Sequence, residues 1–196
     1  MSKKAVALFT MMTLISTSMS GCISAPCDWT DSCEMMGDEM MGHEMGQSEG
    51  NWTGFSLPSF VGVDQEDQVW NLTSMQGEVW IAYFSAPWCS HCESTLDAYD
   101  QVISEGKLLI FNKEPREGYT NVSEWHHSSE EKIGRNISRP FINGPELAEM
   151  LEIDGIPHAF VVNGTGVIVD FTLGARTDTN ELEEMYLYYT NGTISE

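Results

Sequence analysis

Val79-Trp80-Ile81-Ala82-Tyr83-Phe84-Ser85-Ala86-Pro87-Trp88-Cys89-Ser90-His91-Cys92 is the stretch on which the reading of this chain turns. Its first six residues are apolar and aromatic, the composition of a strand buried on both faces. Beyond Cys92, Leu96, Tyr99 and Ile103 recur at helical spacing, which predicts an amphipathic helix to about Ser104, ending before Gly106. A Cys-x-x-Cys pair at the head of such a helix has a definite chemistry. Free backbone N–H groups and the positive end of the helix dipole favour the thiolate of the first sulfur. The second sulfur, one turn in, is close enough to close a small disulfide ring with it. Cys89 is therefore the expected nucleophile and Cys92 the resolving thiol. One half of a zinc site would have the same spacing, but zinc normally asks for a second Cys/His pair. A structural disulfide rarely spans so short a loop. The strand–turn–helix context favours redox chemistry over both.

On the C-terminal side, Lys107-Leu108-Leu109-Ile110-Phe111 reads as a second buried strand, giving a right-handed strand–helix–strand crossover. The signal weakens from Asn112 to Asn143, where part of 123–135 is expected to be helical. His126 and His127 there point about 100° apart and read as surface residues. Pro145 opens a short helix with Leu147, Met150 and Leu151 on one face. Gly155-Ile156-Pro157-His158 then leads into a strand at 159–162, a turn at 163–166 and a return strand at 167–171. Asp178 caps a last helix over about 179–189, with Glu181 at the capping-box position.

On the N-terminal side, Phe55 to Phe60 and Gln68 to Leu72 flank a polar turn and suggest a short hairpin. Residues 22–54 read as an acidic, Met/Gly-rich tether without apolar periodicity. Within it Met40, Met41, His43 and Met45 are soft donors suited to Cu(I), or else incidental residues of a flexible spacer. Residues 1–21 read as an export signal: Lys3 and Lys4 are followed by an apolar run from Ala5 to Thr17, too short to span a bilayer comfortably. Met19-Ser20-Gly21-Cys22 resembles a lipoprotein signal, with Met19 where Leu is usual. This implies a lipid on Cys22, which would hold the protein at the outer face of the cytoplasmic membrane. Ordinary secretion is the alternative.

Composition agrees with export. The chain has 196 residues with five cysteines; with Cys22 assigned to lipid, Cys27 with Cys33 and Cys89 with Cys92 make two pairs. Six of the nine asparagines begin Asn-x-Ser/Thr sequons: Asn51, Asn71, Asn121, Asn136, Asn163 and Asn191. Together with a lipidated cysteine, that density suggests an archaeal-type cell surface and a glycoprotein. The formal charge of −21 argues against nucleic acid as a partner, because phosphates would be repelled.

Taken together, Ala86-Pro87-Trp88-Cys89-Ser90-His91-Cys92 and Gly155-Ile156-Pro157 resemble the thioredoxin fold. The resemblance is closest to the membrane-tethered TlpA/ResA group of extracytoplasmic thiol–disulfide oxidoreductases, and it covers about residues 55–190, leaving 191–196 as a tail. It implies a three-layer α/β/α domain with a central mixed sheet and the N-terminal β-hairpin that is that group's extra element. It further implies a cis Ile156–Pro157 bond against the disulfide, with the Ile156 backbone pairing with an extended partner segment and Trp88 covering one side of the site. The partners so implied are protein thiols and disulfides and a membrane redox protein for recycling, with no organic cofactor.

Two departures matter. The buried acid often found six residues before the first cysteine is replaced by Tyr83. His91 beside the second cysteine resembles the pattern of oxidising members of the superfamily, where it lowers the nucleophile's pKa; a solvent-facing His91 with little electronic effect is the alternative. A copper-handling protein of the cytochrome-oxidase assembly kind is the alternative, motivated by the tether, His43 and His158, although such proteins space their cysteines Cys-x-x-x-Cys. A redox-inert adhesion module is disfavoured because the cysteine pair and Gly-Ile-Pro occur together.

Overall fold

The structure, a computed structural model, describes residues 51–192. The expected export signal, the lipid site Cys22, the pair Cys27 and Cys33, the candidate copper donors Met40, Met41, His43 and Met45, and residues 193–196 of the tail lie outside the described residues.

Two strands of the crossover unit form the centre. Strand β3 (Trp80–Ser85) is buried at every position, as is β4 (Leu108–Asn112), and the two run parallel with Ser85 opposite Asn112. Continuous apolar runs form such strands because both faces of the sheet are covered. On the far side of β3 lies β6 (His158–Val162), antiparallel, followed by β7 (Ile168–Leu173); β5 (Phe141–Asn143) completes the sheet beside β4. The strand order is β5-β4-β3-β6-β7. Strand β5 falls in the stretch where the sequence pattern was weak. It has three residues, too few for periodicity to register.

Helices α1 (Cys92–Val102), α2 (Val122–Ile133) and α4 (Thr179–Gly192) cover one face, where Leu96, Tyr99, Trp125, Leu182 and Tyr186 pack on Tyr83, Ile110 and Val161. Helix α3 (Pro145–Met150) and the antiparallel hairpin of β1 (Val61–Val63) and β2 (Val69–Asn71) lie on the other. There Leu57, Phe60 and Leu147 meet Phe84, Phe111 and Phe160. The result is the expected three-layer α/β/α arrangement with a preceding hairpin. Among the described residues no helix is long and apolar enough to cross a membrane.

The hairpin's first arm begins at Val61 rather than in 55–60. Leu57 instead donates its N–H to Gly166 O and buries its side chain, so this segment docks beside the β6–β7 turn. Packing starts at Trp52, three residues ahead of the boundary read at Phe55. Its indole N–H donates to Leu151 O at 2.9 Å and its ring meets His158, Phe160 and Phe171 edge-on. Asn121 caps α2 by accepting from Glu124 N, and Gly134, at φ +82°, closes it in the left-handed conformation. His126 is not a surface residue: its Nε2 lies 2.8 Å from Ile137 O and its ring meets Phe141 edge-on. His127 is exposed.

Candidate active site

The sheet's topology assembles the site. Because β3 and β4 are parallel, the segments that leave their C-terminal ends emerge side by side, and Lys113 N donates to Ser85 O at 2.9 Å. Strand β6 is antiparallel with His158 opposite Phe84, so the loop that enters it arrives at the same edge. Residues 86–92, 113–116 and 153–157 therefore converge.

Cys89 and Cys92 form a disulfide, with Cα atoms 5.4 Å apart, at the start of α1. The turn is held by Cys89 N to Ala86 O and Cys92 N to Cys89 O. No side chain caps α1, although Glu93 stands in its first turn, and the free N–H groups of that turn lie beside the sulfurs. Both cysteines are buried, flanked by exposed Trp88 and His91. His91 Nε2 lies 3.5 Å from Cys89 Sγ and 3.3 Å from Ile156 O, and its Nδ1 lies 3.8 Å from the same sulfur. The Ile156–Pro157 bond is cis, the geometry the resemblance implies; Pro157 is buried and Ile156 half-buried.

Three supporting residues were not foreseen. Lys113 Nζ donates to Ile153 O at 2.7 Å and Asp154 O at 3.0 Å, pinning the loop that leads to Pro157. Glu114 accepts the indole N–H of Trp88 at 2.8 Å, while Arg116 donates to both of its carboxylate oxygens. The Arg116 guanidinium, helped by the Arg116 N–H and Trp88, holds the Glu114 carboxyl down to about 2. A signal for both residues was present in the sequence, since Lys113 and Glu114 follow β4 directly, as residues 86–92 follow β3.

At the expected acid position, Tyr83 is buried and donates its hydroxyl to Cys92 O at 2.9 Å. Burial, then the neighbouring Tyr99 and Glu93, push its phenol well above the usual range, so it remains a neutral donor. His158 is stacked on Phe160 and enclosed with Trp52 and Phe171. Neither of its nitrogens has a hydrogen-bond partner. Burial, and the positive charge of Lys113, bring it down to about 4, so it is neutral at pH 7.

A mixed sheet flanked by helices, with a disulfide at a helix N-terminus facing a cis-proline loop, defines a thioredoxin-like fold. Solved structures agree. The chain superimposes on a candidate protein disulfide isomerase from Bacteroides thetaiotaomicron with a TM-score of 0.58 at 17% identity, covering 71% of this chain and 90% of that one. It matches an exposed lipoprotein thioredoxin of Streptococcus pneumoniae with a TM-score of 0.53 at 18% identity, over 66% and 98% of the two chains. It matches a thiol:disulfide interchange protein of the thioredoxin family from Chlorobium tepidum with a TM-score of 0.52 at 24% identity, over 71% and 99%. No family profile and no curated protein matches the chain.

Proposed function

We propose that the protein is an exported, lipid-anchored thiol–disulfide oxidoreductase of the TlpA/ResA type, acting on protein thiols and disulfides. The observation that carries this reading is the Cys89–Cys92 disulfide at the uncapped head of α1, with an imidazole nitrogen 3.5 Å from Cys89 Sγ. In the oxidising direction a substrate thiolate attacks the disulfide at Cys89 and expels the Cys92 thiolate. A second substrate thiolate then attacks the substrate sulfur of the mixed disulfide and expels Cys89. Two electrons pass to the pair and a substrate disulfide forms. In the reducing direction the Cys89 thiolate attacks a substrate disulfide and Cys92 resolves the mixed disulfide. A membrane redox partner would restore the pair, and a lipid on Cys22 would keep it at the outer face of the cytoplasmic membrane.

His91 sets the direction in this reading. Beside Cys89 it stabilises the thiolate, which stabilises the dithiol and makes the disulfide the better oxidant. The test is the reduction potential of the pair and its dependence on His91. A value between about −120 and −180 mV is expected, as for disulfide donors and isomerases, and His91→Ala should make it more negative. A value near −270 mV in both proteins would assign it to the reductants. Dithiol exchange that survives Cys89→Ser would end the proposal altogether.

A further inference from the structure

We infer that the reduced Cys89-Ser90-His91-Cys92 turn is a three-donor site for a zinc-type divalent cation, and that its occupancy shuts off exchange at the pair. The inference rests on the proposed function only in requiring that the disulfide be reducible. Its observation is a donor set: one atom from each of Cys89, His91 and Cys92 lies within 4.8 Å of the others.

The distances suit the ion. Zinc at its usual bond lengths to sulfur and nitrogen, in a tetrahedron, sets N···S edges of about 3.6 Å and S···S edges of about 3.8 Å. His91 already stands at such an edge, with Nε2 at 3.5 Å and Nδ1 at 3.8 Å from Cys89 Sγ. Once the disulfide is reduced the sulfurs are free to part, on Cα atoms 5.4 Å apart.

The outer contact is also in place. A metal-bound histidine usually donates its second ring N–H to a carbonyl or carboxylate, which fixes the tautomer and the ring plane. Ile156 O lies 3.3 Å from His91 Nε2. Ligation through Nδ1 keeps that contact, with Nε2–H as the donor. Two cysteines and one histidine make a three-ligand zinc site of the kind that holds water or an exogenous ligand at the fourth position. Ser90 and His91 are exposed, so the turn between the two buried cysteines is open to solvent. A second Cys/His pair is needed to close a structural site, not to hold an ion in an open one.

The balance is simple. Zn²⁺ replaces the two thiol protons and no electron moves, while the disulfide form offers no thiolate and binds nothing. The electrons that make the dithiol come from the partner dithiol of the proposed cycle. Binding to one redox form shifts the equilibrium by mass action, so zinc at one hundred times its Kd should leave about one per cent of the dithiol free. Exchange initiated by the dithiol should slow by about one hundredfold.

The experiment uses the full chain carrying C22S, C27S and C33S, so that only this pair remains. Oxidised and reduced protein are titrated anaerobically with Co²⁺, read by thiolate charge-transfer and d–d absorption, and with Zn²⁺ against a chromophoric chelator. The expected result is one equivalent bound by reduced protein, none by oxidised protein, and an affinity at least tenfold weaker for His91→Ala, an exposed position. Absence of stoichiometric binding to reduced protein overturns the inference, and so does unchanged affinity in His91→Ala. Dithiol exchange measured in excess chelator separates the two readings. Exchange without zinc binding removes the metal site alone, whereas zinc binding without exchange removes the redox function and leaves the metal site.

Discussion

The hydroxyl of Tyr83 donates to the backbone carbonyl of Cys92 at 2.9 Å, tying the central strand to the first turn of α1. It occupies the position from which a buried acid serves the second cysteine in related folds, and its raised phenol does not exchange protons at ordinary pH. The Cys92 proton must therefore pass through another group or water. Tyr83→Phe removes one hydrogen bond and no proton carrier, so it should cost about 1 kcal/mol of stability. The pH–rate profile of exchange should keep its shape. Urea unfolding and stopped-flow exchange from pH 5 to 9 would check this, and a changed profile would make Tyr83 a participant in proton transfer.

Trp88, next to Cys89, donates its indole N–H to Glu114, and that carboxylate is held by Arg116. With the folded-state carboxyl down to about 2 against an ordinary 4.5, its contribution is fully present above pH 4.5 and lost as pH falls toward 2. Glu114→Gln keeps the shape and loses the charge. It should cost about 1 kcal/mol at pH 7 and abolish that part of the acid transition. Glu114→Ala removes the acceptor of the Trp88 indole N–H as well, and kcat/KM for a protein substrate should then fall several-fold while the potential of the pair stays unchanged.

His158 gives a second, higher window. The unfolded chain takes up a proton near pH 6.5, whereas the folded imidazole stays neutral until about pH 4. The unfolded state thus binds more protons between those values, and stability falls as pH drops through them, by about 3 kcal/mol in all. His158→Leu, apolar in an aromatic cage, should flatten that decline between pH 6.5 and 4 and leave the Glu114 window below it intact. Denaturant unfolding of both proteins at pH 7, 5.5 and 4 measures the difference. Parallel curves would show that His158 is protonated in the fold.

Long, uniformly apolar strands and strongly periodic helices were legible because burial on both faces or on one stripe writes itself into consecutive residues. Trp80 to Phe84, and Leu96 with Tyr99, needed no tertiary information. The cysteine pair was legible from its thiol chemistry at the head of a helix, and Gly155-Ile156-Pro157 from the resemblance that the two motifs carry together. The contacts of Glu114, Lys113 and Trp52 were not, although the position of the first two at a strand end was. Each acts on residues 26 to 99 positions away, through contacts that have no local period. The hairpin began later than read because Leu57 and Phe60 spend their apolar surface on the core rather than on a strand pair. His126 looked superficial because a polar helix surrounds it; its place beside Phe141 follows from β5, which is too short to recognise in advance.

The start of the folded body is itself testable at Trp52. Its ring meets His158, Phe160 and Phe171 at centroid distances of 4.9, 5.4 and 5.0 Å, and its N–H reaches Leu151 O. Removing a packed indole forfeits its transfer free energy and leaves a cavity that the two antiparallel strands cannot fill by collapsing. Trp52 is only half-buried, so Trp52→Ala should cost about 2–3 kcal/mol, toward the lower end for large-to-small substitutions. Trp52→Phe should recover most of the packing and lose only the Leu151 hydrogen bond, at about 1 kcal/mol. Urea unfolding of the three proteins at pH 7 measures these losses. Because the cage also holds His158 away from water, Trp52→Ala should weaken the decline in stability between pH 6.5 and 4. A loss below about 0.5 kcal/mol with an unaltered decline would put Trp52 outside the cooperative unit and return the boundary to Phe55.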